Sequence, residues 1–160
     1  MALSTLLATT DASITEGQIR AFYLGTFVAD KPVPFKTAME EVLMEAEIED
    51  YKIWEKDMKA LHDHVKANVH KEMDALLEES SDLKKFLQDA LGRLDYFLTG
   101  YAVSGASDDN DTAELVEELE DSVLDLEDYL ADESSTKENG LELKKLTLAT
   151  WKDVVTLKKA

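Results

Sequence analysis

Residues 35 to 79 hold neither proline nor glycine, and this uninterrupted span constrains the fold more than any other part of the chain. Its apolar residues fall at Phe35, Met39, Val42 and Ala46, then at Tyr51, Trp54, Met58, Leu61 and Val65. Those steps of three and four return side chains to one face of an α-helix. The second set alternates as in a heptad seam. The step from Ala46 to Tyr51 breaks the rhythm, and a further shift moves the seam to Val69, Met73 and Leu76. The span is predicted as one long helix, about 66 Å from end to end, or as two helices meeting between Glu47 and Asp50. A helix that long belongs to a coiled coil or to a part of an assembly.

The flanking segments carry the same period. A helix is expected from Thr15 to about Ala29, with Ile19, Phe22, Tyr23 and Phe27 on one side, although Gly17 and Gly25 each cost about 1 kcal/mol relative to alanine. The prolines of Asp30-Lys-Pro-Val-Pro34 must end it. Ser80-Ser81-Asp82 supplies a cap for a helix whose wide apolar face (Leu83, Phe86, Leu87, Ala90, Leu91, Leu94, Phe97, Leu98, Tyr101) predicts the most buried helix of the molecule. The run 104–111 is a polar linker. Asp111-Thr-Ala-Glu114 then reads as a capping box before a helix that turns Leu115, Leu119, Val123, Leu126 and Leu130 inward. The expected fold class is all-α: an irregular bundle of four or five helices, one of them long, straight or kinked. The expected organisation is a lead-in over 1–14, an acidic helical bundle over 15–131, a polar linker over 132–140 and a basic segment over 141–160. In that last segment a strand-like alternation at Leu141, Leu143, Leu146 and Leu148 competes with a helical spacing that continues to Lys159.

Charge decides which functions are improbable. The chain has 35 acidic and 17 basic residues, for a net charge of −18. Such a surface repels nucleic-acid phosphate and anionic lipid. It favours basic protein partners or cations. No cysteine is present, which excludes disulfides, thiolate metal sites and cysteine nucleophiles. No run of apolar residues is long enough to span a membrane. The opening Met-Ala-Leu-Ser-Thr-Leu-Leu-Ala lacks the basic n-region of a secretory signal, so a cytoplasmic or particle-associated setting is expected.

No constellation of catalytic residues emerges, and no catalytic, cofactor-binding or metal-ligating residue is assigned. Glycine-rich phosphate loops, the nucleophile elbow and the Walker lysine are absent. Asp108-Asp-Asn-Asp111 fails the spacing of a calcium loop: counted from Asp108, Ala113 takes the sixth position and Leu119 the twelfth. His62, His64 and His70 lack the helical zinc spacing, because Lys66 follows His62 by four. They read as surface histidines.

Two features point to protein partners. Residues 108 to 133 hold thirteen acids and no base. There Glu114, Glu117, Glu118, Asp121, Asp125 and Asp128 are expected to face outward. The aromatic stripe of Tyr51, Trp54 and Met58, with Trp151 near the C-terminus, is core by default, but becomes an interaction surface if its helix projects from the bundle. The last twenty residues carry five lysines against two acids, a counter-charge for the acidic helix within the chain or between copies. The functional expectation is a non-enzymatic structural or protein-interaction subunit of a larger assembly, a phage-type virion or assembly component being one setting. It would self-associate or bind a basic protein, without nucleic acid, membrane or small-molecule substrate. The alternative is an acidic decoy that blocks a basic, nucleic-acid-binding protein.

Overall fold

The computed structural model of the chain describes residues 3–9, 14–29, 31–78, 80–105 and 109–159. These residues form helices without a strand: α1 (Leu3–Thr9), α2 (Glu16–Val28), α3 (Phe35–Glu45), α4 (Lys52–Ala67), α5 (Val69–Ala75), α6 (Leu83–Val103), α7 (Asn110–Ala131) and α8 (Lys137–Lys159). The all-α class is as expected, while the number of helices exceeds four or five. Of the predicted segments, residues 1–2, 10–13, 30, 79, 106–108 and 160 lie outside the described residues. Within the lead-in, α1 places Leu3 and Leu6 in the core.

The long helix does not exist as one rod. The span 35–79 is divided into α3, α4 and α5. The first break follows from backbone hydrogen bonding. Glu47 takes the left-handed conformation at φ 60°. Its N–H donates to Met44 O (2.9 Å), and Ile48 N–H donates to Leu43 O (2.8 Å). That pair of bonds is a Schellman motif, built on glutamate where glycine is usual. The second break is at Asn68, with φ −130° and ψ 35°, where the apolar phase also shifts. Both interruptions of the apolar rhythm thus mark real ends. Breaking the rod lets α3, α4 and α5 wrap around α2.

The centre of the molecule is the pair α2–α6, the most extensive helix contact. α2, rather than α6, is the most enclosed helix: eight of its thirteen residues are buried, from Ile19 to Val28. A helix apolar on every side has no solvent face to present. Its start is a capping box, in which Thr15 accepts from Gln18 N–H and Gln18 accepts from Thr15 N–H. Gly25 and Gly100 sit where the two backbones meet. A Cβ at Gly25 would collide with Phe97 O, and one at Gly100 with Phe22 O. Glycine is needed at both positions for close approach.

Helices α3, α4 and α5 cover α2 on one side, and α7 and α8 cover α6 on the other. Of the predicted seam, Trp54, Met58, Leu61 and Val65 of α4 face the core, while Tyr51 just before the helix is half-buried. The C-terminal segment is a helix, and α8 opens at Lys137, inside the stretch predicted as linker. Trp151 locks it down, its Nε1–H donating to Met73 O at 2.8 Å while its ring meets Phe97 edge-on at 5.0 Å. A part-buried ion pair, Arg20 to Glu72 at 2.6 Å, ties α2 to α5.

Candidate interaction surface

The acidic helix α7 starts earlier than predicted. Asp109, not Asp111, is the N-cap: Thr112 Oγ1–H donates to its carboxylate at 2.7 Å and Asp111 N–H at 3.4 Å. These bonds, led by that from Thr112, hold the Asp109 carboxyl below the usual range. An aspartate with this job starts a helix, so Asp109 of the aspartate run serves as a cap. No group of three or more His, Asp or Glu side chains among the described residues is arranged to hold a metal ion.

From this start α7 turns Thr112, Leu119, Val123 and Leu126 into the core. Leu115 and Leu130 are half-buried at the edges of that stripe. Glu114, Glu117, Glu118, Asp121, Asp125 and Asp128 are all exposed, on the far side. None of the six forms an ion pair with α8 among the described residues.

The aromatic stripe offers no surface. Trp54 is 1 % exposed, Met58 is fully buried and Trp151 is 5 % exposed, while Tyr51 is half-buried at the start of α4. The physical reason is the broken rod: α4 lies along α2 rather than projecting beyond it, so its seam finds a partner within the chain.

A shallow concavity of about 440 Å³, largely open to solvent, lies between α6 and α7. Leu98 and Ala102 of α6 and Val123 and Leu124 of α7 form its apolar floor. Leu124 is 57 % exposed, among the most exposed large apolar residues described. Asp95, Glu120 and Glu127 stand around this floor, and none of the three has an ion-pair partner among the described residues. The Asp95 carboxyl is held above its ordinary pKa, chiefly by partial burial and further by the charge of Glu45. Sequence reasoning missed Asp95, Glu120, Leu124 and Glu127. Only Leu124 gave a signal, as a leucine off the inward stripe; the groove itself needs α6, whose residues are more than twenty positions away.

A local basic patch lies on α3 and α4. Lys36 of α3 and Lys52, Lys56 and Lys59 of α4 surround the half-buried ring of Phe35, with Glu55 the single acid of that lining. Lys59 lies 5.2 Å from the ring centroid and pairs with Asp63 at 2.9 Å.

Behind Phe35 sits His62, which is buried rather than on the surface, unlike the exposed His64 and His70. Its ring is enclosed by Tyr23, Phe27 and Phe35 at centroid distances of 4.9, 4.8 and 5.2 Å. Neither ring nitrogen, nor the Tyr23 hydroxyl, has a hydrogen-bond partner among the described residues. Burial, reinforced by the Lys59 charge, lowers the His62 pKa from 6.5. Burial alone drives the Tyr23 phenol far above its usual range. Both groups are thereby neutral packing elements.

No helix among the described residues is long and apolar enough to cross a membrane. Compared with known protein families, curated proteins and solved structures, the chain matches none.

Proposed function

We propose that this chain is a non-enzymatic protein-interaction subunit of a larger assembly, and that its α6–α7 groove holds a lysine- or arginine-bearing, apolar-edged helical segment of a protein partner. The observation that carries this reading is Leu124, exposed on an apolar floor within a ring of three carboxylates that have no cation of their own. An exposed leucine is ordinary by itself. Set in a concavity with unpaired acids around it, it matches the interface pattern of an apolar centre inside a polar rim. An amphipathic helix with basic flanks supplies both complements at once.

The decoy reading draws on a different surface. The outer face of α7 presents six carboxylates with neither an apolar centre nor a groove, which suits a partner built to grip phosphates. The two readings differ in what salt and mutation do. Binding through the groove keeps its apolar part when charges are screened, whereas binding through the outer face falls steeply with salt.

The test is fluorescence anisotropy with a synthetic amphipathic helix bearing lysines seven residues apart beside leucines. Leu124→Ser should weaken binding by roughly tenfold, the worth of one buried leucine contact. Asp121→Asn with Asp125→Asn should leave it nearly unchanged. The reverse pattern would favour the decoy. No binding of any basic helix would sink both readings.

A further inference from the structure

We propose that the groove's occupant is a second copy of this chain, docked by the exposed lysine face of its α4. The inference rests on the groove being a docking site, and goes on to name what docks. The argument is complementarity between two surfaces of one molecule. On α7 the acids Glu120 and Glu127 lie two turns apart, with Leu124 between them. On α4, Lys52 and Lys59 also lie two turns apart, with Lys56 between. At the rise of an α-helix each pair spans about 10 Å, so the two rows of charge are in step. Asp95 closes the far wall of the groove, where Lys56 or Lys36 would meet it. Ile53, one residue from Lys52, is 55 % exposed and offers an apolar side chain to stand beside Leu124. Among the described residues, Lys36, Lys52 and Lys56 have no ion pair within the chain.

Placement makes the contact intermolecular. α4 packs against α1, α2, α3 and α5, while α7 packs against α6 and α8. The α2–α6 pair stands between them, so the chain cannot fold its lysine face onto its own groove. Each copy therefore offers one groove and one lysine face on different sides. Such a contact is heterologous and propagates head to tail, closing into a ring or running on as a filament. The net charge of −18 opposes this contact at low ionic strength, where copies repel at long range. Moderate salt screens that repulsion over about 8 Å while short-range pairs persist. Association is thus strongest at intermediate salt.

Sedimentation velocity over a concentration series, in moderate salt, tests the inference. The wild-type chain should form oligomers. Glu120→Lys with Glu127→Lys, and separately Lys52→Glu with Lys56→Glu, should each raise the dissociation constant by about tenfold or more, because like charges then face each other. All four positions are exposed, and unchanged helical circular dichroism shows that the variants fold. The equimolar mixture of the two variants should associate again, since each supplies the surface the other lacks. A wild-type chain that stays monomeric while still binding the basic helix overturns this inference and leaves the docking site standing. Oligomers that ignore both charge reversals, or a mixture that stays monomeric, overturn it too. Loss of the basic helix as well would instead remove the docking site.

Discussion

Replacing Gly25 with alanine sets two physical rules against each other and so tests the central packing directly. Gly25 lies inside α2, where helix propensity favours alanine by about 1 kcal/mol. A sequence-level argument predicts stabilisation. The structure predicts the opposite. The added methyl would overlap the carbonyl oxygen of Phe97 and lie 2.9 Å from Tyr101 N, and both are backbone atoms of α6 that cannot turn aside. Relief requires the two helices to part by on the order of 1 Å, which loosens the Phe22 and Phe97 contacts around the crossing. Overpacking of that kind costs about 1–3 kcal/mol, sometimes more. Because the overlap is with rigid backbone, the upper end of that range applies, and after the propensity gain the net loss is about 2 kcal/mol. For a chain of this size that lowers Tm by about 4–8 °C. Gly92→Ala is the milder case: its methyl meets only the end of the Gln18 side chain. That side chain caps α2, so displacing it loses a cap bond worth about 1 kcal/mol and offsets the propensity gain, for a net change near zero. Gly25→Ala with Gly100→Ala should cost less than the sum of the two, because helices already parted at one glycine have room at the other. Thermal unfolding followed by circular dichroism gives all four values. A Gly25→Ala protein as stable as wild type, or more so, would refute the close crossing of α2 and α6.

Three further predictions follow from the same structure. Because the folded chain holds the His62 pKa below 6.5, the unfolded state binds the extra proton first; stability should fall as pH drops through 6.5 towards the folded value, and His62→Phe, which keeps an aromatic ring in the Tyr23–Phe27–Phe35 enclosure, should remove that part of the slope in denaturant titrations at several pH values. Glu47→Gly should stabilise the chain by about 1 kcal/mol, since the φ of 60° that strains glutamate suits glycine; a loss of stability on chemical denaturation would place the break between α3 and α4 elsewhere. Trp151→Phe keeps an aromatic ring against Phe97 but leaves Met73 O with only the long bond from Leu76 N–H (3.4 Å), and should cost about 1 kcal/mol; an unchanged urea midpoint would mean that α8 is not held there.

The sequence determined what local physics can determine. The period of the apolar residues predicted helices. The two prolines ended α2, Asp82 capped α6 as expected, and the α4 seam ran from Trp54 to Val65 into the core. Even the breaks in the long span were written as interruptions of the apolar rhythm, since a helix that changes phase must turn or end. Charge set the exposed face of α7, because six carboxylates on one side of a helix stay in water.

Only the tertiary structure decided the rest, because it depends on which surfaces meet. Local rules counted Gly25 as a weakness of α2; the fold uses it, with Gly100, to bring two backbones into contact. His62 looked like a surface residue until three aromatic rings from α2 and α3 closed over it. Glu47 ends α3 without the glycine that would have announced it, because the helices on both sides of the turn must pack on α2. The groove belongs to this second class as well. Asp95 and Leu98 lie far from Glu120 and Leu124 along the chain, and only the packing of α6 on α7 makes four unremarkable positions into one acid-edged apolar floor.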